Sequence, residues 1–255
     1  MLQFPLANRG AIHVIRWCWT TGVILMTAVG SPALATDPMR VAILHSEPWG
    51  YYQDSRVAGI FHEINRLVAQ ESGLELNTQI IPNARIWRDL KNGDIDLTYA
   101  IRSPDRDPHV RYAGHLFDLE IVAIARPGIR LRRPEDLREL RIGRLQGITS
   151  SPRLDQDNGS DLHDFRDYET MVEMLLAGRI DVVIGNRLSL DHLLGKKQPP
   201  SRQWPRLVLQ RCEIWAQLSR RSARQEEAGR IASAIEKLVR QGALTRLLGP
   251  YRSPE

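Results

Sequence analysis

Cysteine is scarce in this sequence, since Cys18 and Cys212 are the only two among 255 residues. Cys18 lies in an N-terminal segment that we expect to be removed, so one thiol would remain and no intramolecular disulfide could form. The seven histidines show no metal-ligand spacing, and there is no G-x-S-x-G stretch and no phosphate-binding loop. We therefore expect no disulfide framework, no metal and no cofactor.

Long runs of one charge are also missing. Lys and Arg total 35 and Asp and Glu total 30, which gives a formal net charge of +5. Arg9 and Arg16 belong to the N-terminal segment, which leaves 33 basic against 30 acidic residues in the rest of the chain. The charges are interspersed and form no basic tail of the kind that marks nucleic-acid binding. We expect no nucleic-acid partner.

Long apolar runs are equally rare, and the one at the N-terminus indicates export. The first 35 residues hold two arginines and no acidic residue, then the apolar stretch Trp17–Gly30, then Ala33 and Ala35 at small-x-small cleavage spacing. A membrane anchor is the alternative, but the apolar stretch is shorter than the roughly 20 residues that a spanning helix needs. We predict a signal peptide over residues 1–35 and a periplasmic product.

The rest of the chain alternates between strand and helix patterns. Strands are predicted at 40–45, 74–81, 95–101, 119–128, from 141 into a glycine-containing turn, at 180–186 and at 206–219. Helices are predicted at 59–73, 84–93, shortly after Pro134, at 167–179, and as a helix, turn and short helix over 225–249. This alternation indicates an α/β fold with parallel strands covered by helices.

An internal repeat indicates two lobes. Leu90–Asp96 (LKNGDID) and Leu175–Asp181 (LLAGRID) share the pattern L-x-x-G-x-I-D, and each leads into an apolar strand. We interpret each copy as a helix that ends at glycine and turns into a parallel strand. The repeat favours two similar lobes over one continuous sheet. We predict lobe 1 at 36–125 and 211–255 and lobe 2 at 126–210, with 207–218 as a return crossing.

Open parallel sheets bind ligands beyond the carboxyl ends of their strands. Four predicted strands end in chemically distinctive residues: the turn SEPWGYY after the first, Arg102 to Arg106 after the third, Gly147 to Ser150 in the second half, and Asn186. Arginine presents a rigid fork of donors suited to a carboxylate, and the backbone N–H groups of a glycine turn can hold an anion. We therefore predict a hinged cleft, with Arg102 among its ligand contacts.

These segments resemble a known family, the periplasmic solute-binding proteins of ABC transporters, in the polar amino-acid class. The similarity spans nearly all of the chain after residue 35 and rests on the order of several short motifs. They are EPWGYY followed by VAGIFHEI, then LKNGDIDL, SPDR, RIGRLQGITS, LLAGRIDVVIGN and EKLVRQGALTRLLGPY. The resemblance implies a two-lobed (venus-flytrap) type II periplasmic-binding fold with two hinge crossovers.

The resemblance also implies roles for individual residues. Arg106 occupies the place of the arginine that grips a ligand α-carboxylate, and Thr149 that of a second carboxylate contact. Asn186 stands where the family usually has an aspartate for the ligand α-ammonium, and this departure argues against an ordinary amino acid. Trp49 is expected to supply a stacking face. Arg85, in a P-x-A-R stretch, is expected to point at the same cleft.

The function that we predict is extracytoplasmic binding of a small anionic or zwitterionic solute by a monomer, for delivery to a membrane permease. No catalytic constellation is evident, so we do not expect an enzyme. Two alternatives remain open. The resemblance to the wider superfamily admits an exported cyclohexadienyl-type dehydratase, although the helix-face positions of Glu169 and Glu173 argue against either as its general acid. The other alternative is a soluble receptor for a membrane sensor kinase.

Overall fold

Apolar strands alternate with helices along the chain, and the structure arranges them around one sheet. The computed structural model describes residues 37–146, 161–197 and 204–251. The strands are β1 (Met39–Leu44), β2 (Tyr51–Gln53), β3 (Arg56–Ala58), β4 (Leu76–Ile81), β5 (Leu97–Ile101), β6 (Val110–Ala125), β7 (Arg141–Leu145), β8 (Asp161–Phe165), β9 (Val182–Asn186) and β10 (Arg206–Ser219). The helices are α1 (Ile60–Ser72), α2 (Asn83–Asn92), α3 (Tyr168–Leu176), α4 (Arg187–Lys197), α5 (Ala228–Arg240) and α6 (Ala243–Leu248).

The sheet has eight strands in the order β4-β1-β5-β10-β6-β9-β7-β8, and β2 and β3 form a separate hairpin. We call β4, β1 and β5 the first half and β9, β7 and β8 the second half. Each half is parallel within itself, as the alternating strands and helices predict. No helix in the described parts of the chain is long and apolar enough to cross a membrane.

Two long antiparallel strands, β6 and β10, join the halves. β10 pairs with β6 from Arg206 opposite Ile124 to Ser219 opposite Val110, and it also pairs with β5 of the first half. β6 in turn pairs with β9 of the second half. The hydrogen-bonded ladder is therefore continuous, which corrects the expectation of a separate sheet in each lobe. The lobe boundaries at 125/126 and 210/211 stay predictions; the first falls at the end of β6 and the second within β10.

Described helices cover both faces of the first half and one face of the second half. In the first half, α1, α5 and α6 bury one face through residues such as Ile64 and Ile235, and α2 buries the other through Ile86 and Leu90. In the second half, α3 and α4 cover one face, where Met171 is fully buried. The opposite face of the second half packs a further apolar cluster around Leu137 and Ile142.

The L-x-x-G-x-I-D repeat has a structural explanation. Asp96 accepts hydrogen bonds from the backbone N–H (2.8 Å) and the guanidinium (3.1 Å) of Arg40, the second residue of β1. Asp181 accepts the same pair from Arg141, the first residue of β7, at 3.1 and 2.9 Å. Each arginine also donates to the carbonyl of its repeat glycine, Gly93 or Gly178. Both glycines have positive φ, 86° and 71°, where a side chain would be strained.

Candidate functional site

A cavity of about 430 Å³ opens at the carboxyl end of β5, beside the ends of β1 and β9. This volume lies in the range typical of small-molecule sites, about 300–1,000 Å³. Its lining combines aromatic and aliphatic walls with two arginines and one aspartate. The residues used below are Trp49, Phe61, Asn83, Trp87, Tyr99, Arg102, Ser103, Asp105, Arg106, Leu119, Ile121, Tyr168, Asn186, Gln210, Cys212 and Ile214.

Arg106 lies on a 3₁₀ turn, Pro104–Arg106, directly after β5. Its Nη1 donates to the carbonyl oxygen of Ile101 at 2.8 Å, and its guanidinium carbon lies 3.3 Å from the centre of the Trp87 ring. Burial lowers the pKa of Arg106 to about 10, so the group stays charged at neutral pH. Within the described residues no carboxylate forms an ion pair with it. A stacked and partly desolvated guanidinium of this kind suits an incoming carboxylate.

Arg102 also lines the cavity but is more exposed, with 48% of its side chain accessible. Its guanidinium lies over the rings of Tyr112 (4.9 Å) and Trp215 (5.5 Å) and reaches Glu213 at 3.9 Å. This surface ion pair is long and solvated, so it holds Arg102 only weakly.

Trp49 is buried, at 2% exposure, and not an exposed aromatic as the turn SEPWGYY suggests. Its ring stacks on Phe117 at 6.2 Å and lies 4.8 Å from Phe61. Its Nε1 donates to Ser189 Oγ at 2.8 Å. One edge of Trp49 lines the cavity, while its N–H links the turn after β1 to helix α4. The expected role of Trp49 as a stacking face for a ligand stays a prediction, and the same side chain connects the two halves of the sheet.

Asn186 and Tyr168 form the wall contributed by the second half. The backbone N–H and the Nδ2 group of Asn186 both donate to the Tyr168 hydroxyl at 3.1 Å, and Asn186 Oδ1 accepts from the Ser189 N–H at 2.8 Å. The last contact caps the N-terminus of α4. Burial raises the pKa of Tyr168, although the hydrogen bonds from Asn186 act against it. Asn186 thus lines the cavity, but its amide oxygen caps α4 and its amide nitrogen donates to the Tyr168 hydroxyl.

Two expected contacts are not among the described residues that line the cavity. Arg85 does not line the cavity; its guanidinium pairs with Asp89 one helical turn along α2, at 3.1 Å, and 59% of its side chain is exposed. The physical reason is helical spacing, since positions i and i+4 share one face of a helix. Thr149 lies outside the described residues, as does the predicted signal peptide. Their roles stay predictions.

Sequence reasoning missed most of the aromatic lining. Trp87 packs against the core cluster of α2 on one side and lies half-buried under Arg106 on the other, and its Nε1 donates to Asn83 Oδ1 at 3.2 Å. Tyr168 had no motif of its own. The glycine at position 185 was an indirect indication that a large side chain packs closely against β9. A Cβ at this position would lie 2.2 Å from Tyr168 Cε1, so the ring can pack there only because residue 185 is glycine.

The described lining residues are suited to binding a ligand and include few groups that could act as an acid, a base or a nucleophile. Asp105 is the one carboxylate among the described lining residues, and its Oδ1 is paired with the Ser103 hydroxyl. Burial raises the pKa of the Cys212 thiol, which disfavours its nucleophilic thiolate form. In the described ranges, no three His, Cys, Asp or Glu side chains come together as a metal site.

The chain is similar to proteins of a known family and of known structure. A family model described as bacterial extracellular solute-binding proteins, family 3, matches residues 39–251. The arginine-, lysine-, histidine-binding protein ArtJ from Geobacillus stearothermophilus aligns at 16% identity over 86% of this chain and 97% of its own, with a TM-score of 0.70. An ancestral arginine-binding protein bound to arginine aligns at 16% identity over 86% and 99%, with a TM-score of 0.73.

A third solved structure has a different biological setting. A histidine kinase sensor domain with similarity to periplasmic binding proteins aligns at 15% identity over 84% of this chain and 96% of its own, with a TM-score of 0.71. No match was found among the curated proteins. Because these sequence identities are low, the structural matches show only that the fold is shared. That fold is the predicted two-lobed α/β periplasmic-binding type.

Proposed function

Because the chain belongs to the bacterial extracellular solute-binding proteins of family 3, we propose that it binds a small carboxylate-bearing solute outside the cytoplasm and delivers it to an ABC-type permease. The observation that carries this proposal is Arg106, a charged and partly desolvated guanidinium at a strand end with no carboxylate partner among the described residues. Arg102 is the second cationic contact, and Trp49 and Tyr168 supply walls. The periplasmic location and monomeric state belong to the same proposal.

The protein acts, in this proposal, by binding and not by catalysis. A dehydratase on this fold would need a general acid in the cavity. Neither Glu169 nor Glu173 lines it, and Glu173 instead pairs with Lys197. A turnover assay with prephenate-like substrates checks this point, and release of product would overturn it.

Solute capture can be tested by a thermal-shift screen of the protein against amino acids, dicarboxylates, opines and aromatic acids. A ligand at one hundred times its dissociation constant should add roughly 2.7 kcal/mol to the free energy of unfolding. The shift should disappear in Arg106→Ala. It should persist in Arg66→Ala, a matched control that removes an exposed arginine paired with Glu63 on α1. A ligand that still binds Arg106→Ala with full affinity would contradict the assigned carboxylate contact.

A second candidate function is a soluble receptor for a membrane sensor kinase, which the likeness to a kinase sensor domain favours. Solute binding would be the same in both cases. Co-purification of the ligand-bound protein with a membrane partner, followed by identification of that partner as a permease or a kinase, separates the two.

A further inference from the structure

Among the described lining residues, two guanidinium groups are available to a carboxylate, whereas the one carboxylate, Asp105, is already paired with the Ser103 hydroxyl. Among the described lining residues the charged groups are Arg102, Arg106 and Asp105. Asp105 accepts a hydrogen bond from the hydroxyl of Ser103, lies on the same turn as Arg106 and contributes to keeping that arginine charged. The lining therefore carries more positive than negative charge.

Asn186 does not replace a charged acceptor for an ammonium. An amide carries no charge, and Oδ1 of Asn186 already uses one of its two lone pairs to accept the Ser189 N–H that caps α4. Its Nδ2 group donates to the Tyr168 hydroxyl, which in turn accepts a second hydrogen bond from the Asn186 backbone. An ammonium placed against this wall would face an N–H donor and a phenol, and would lose its hydration without gaining a charged partner.

Most of the remaining described lining is apolar or aromatic, and its uncharged polar members are Asn83, Thr98, Ser103 and Gln210. Trp49, Phe61 and Tyr99 form a continuous aromatic series, with ring centres 4.8 Å and 5.9 Å apart. Aliphatic side chains complete the wall on the joining strands; they are Leu119, Ile121 and Ile214. Such a surface favours the planar or branched hydrocarbon body of a ligand whose charge is confined to one end.

We propose that the solute is an aromatic or other apolar carboxylate that lacks an α-ammonium group. This inference rests on the proposed function and specifies its substrate class. Arg106 holds the carboxylate, Arg102 supports it, and the aromatic series receives the body of the ligand. The described lining contains two arginines and one aspartate, and the single negative charge of the solute then balances the excess positive charge.

Two ligand pairs that differ only in the α-ammonium group test this inference. They are 3-phenylpropionate against L-phenylalanine and 4-methylpentanoate against L-leucine, each titrated calorimetrically into the protein. We expect the amine-free member of at least one pair to bind ten-fold or more tightly than its amino-acid partner, and Arg106→Ala to weaken that binding at least thirty-fold. Protection of Cys212, which lines the cavity, from alkylation gives an independent readout by peptide mass spectrometry.

The variant Asn186→Asp adds a test in which the two ligands of a pair should respond in opposite directions. Aspartate can still accept the Ser189 N–H as a helix cap, and it adds the missing negative charge at the cavity wall. We expect it to weaken 3-phenylpropionate binding and strengthen L-phenylalanine binding, each by five-fold or more. Asn77→Asp, on the exposed position of β4, adds the same charge away from the cavity and should change neither affinity.

The outcomes separate the substrate class from the proposed function. If L-phenylalanine or L-leucine binds as tightly as its partner, with loss in Arg106→Ala, the inference is overturned and solute binding stands. If neither member of either pair binds, the inference is also overturned, and the wider screen described above decides the proposed function. If Asn186→Asp alters neither affinity, the assigned role of the Asn186 wall is wrong.

Discussion

A single missing Cβ, at Gly185, allows the second half of the sheet to present Tyr168 to the cavity. We expect Gly185→Ala to push the Tyr168 ring off the strand, because the new methyl would lie 2.2 Å from Cε1. Overpacking of this kind costs about 1–3 kcal/mol of unfolding free energy, and displacement of the ring should also weaken ligand binding. Denaturant unfolding and ligand titration measure the two effects.

The matched control is Gly195→Ala in helix α4, where a Cβ would meet nothing within 4 Å. Alanine is the better helix former, so this variant should be more stable than the wild type by up to about 1 kcal/mol. Equal stability changes in the two variants would show that Tyr168 does not depend on the close approach at residue 185.

At the same scale, sequence reasoning identifies residues by chemistry but does not determine their hydrogen-bond partners. Arg106 follows an apolar strand, and the rule that ligands bind beyond strand ends is enough to select it. Arg85 has the same chemistry, yet Asp89 on the same helix holds it away from the cavity. Tyr168 could not be selected because its position depends on packing against β9, across 18 residues of sequence.

At the scale of elements, the aspartates of the two L-x-x-G-x-I-D segments, Asp96 and Asp181, link the turn after a helix to the first residues of a neighbouring strand. The side-chain hydrogen bond from Arg141, with further bonds from Arg126, holds the pKa of Asp181 well below its usual range. Asp181→Asn should cost about 1–3 kcal/mol, because the amide Nδ2 replaces one carboxylate oxygen and cannot accept the bonds that this oxygen receives from the backbone N–H and Nε of Arg141. Asp118→Asn, at an exposed position, should cost less than about 0.5 kcal/mol. A smaller loss for Asp181→Asn than for the control would argue against a fastening role.

The same carboxylates give the fold a pH dependence. Hydrogen bonds from Arg40 outweigh the effect of burial and lower the pKa of Asp96 as well. A carboxylate with a lowered folded-state pKa stabilises the fold above its unfolded value of about 3.9 and loses that contribution as pH falls through the folded value. We expect the free energy of unfolding to drop as pH falls below about 4, with a shallower drop in the double variant Asp96→Asn/Asp181→Asn. Parallel pH profiles for wild type and variant would contradict this assignment.

Elements with strong periodicity were predicted to within a few residues, whereas helix α4, strand β8 and the short hairpin strands β2 and β3 were missed. Predicted helix 59–73 is observed at Ile60–Ser72, and predicted strand 206–219 at Arg206–Ser219. Helix α4 was missed because apolar residues are distributed around it, with Leu188, Leu190, Leu193 and Leu194 all buried. Strand β8 is a polar edge strand, so it lacks the apolar run that marks a strand in sequence.

At the scale of the whole molecule, the local patterns indicate two similar halves but not how they connect. The repeat predicts that each half is an α/β unit, and the structure confirms this. The pairing of β6 with β10 is a long-range feature, with Arg206 opposite Ile124, and no local pattern specifies such a register. The sheet is therefore continuous although the sequence pattern favoured a break.

Helix α4 contacts the turn after β1, and these contacts should control opening between the halves. Trp49 Nε1 donates to Ser189 Oγ at 2.8 Å, and Glu47 pairs with Lys196 and, at 3.3 Å, with His192. Burial alone would raise the pKa of Glu47, but the hydrogen bonds and charges of Lys196 and His192 outweigh it and lower that pKa. These contacts therefore link the turn after β1 in the first half to helix α4 in the second half, and they should favour a closed cleft.

We expect Ser189→Ala to shift the protein toward an open arrangement. The variant leaves the buried Trp49 N–H without an acceptor, and opening would let that group reach water, a gain of about 1–3 kcal/mol. A ligand that requires the closed arrangement should then bind about ten-fold more weakly, since part of its binding energy is used to reclose the cleft. Small-angle scattering should show a larger radius of gyration for the ligand-free variant than for the wild type, and equal radii on ligand saturation.

Two neighbouring lysines provide the control for this experiment. Lys196 pairs with Glu47 across the cleft, whereas Lys197 pairs with Glu173 of α3 within the second half. Lys196→Ala should weaken ligand binding about two-fold, in line with ~0.2–1 kcal/mol for an exposed ion pair, and Lys197→Ala should leave affinity unchanged. If Ser189→Ala binds ligand with wild-type affinity and shows no change in radius, the contacts of α4 merely support the local fold and do not set the balance between open and closed arrangements.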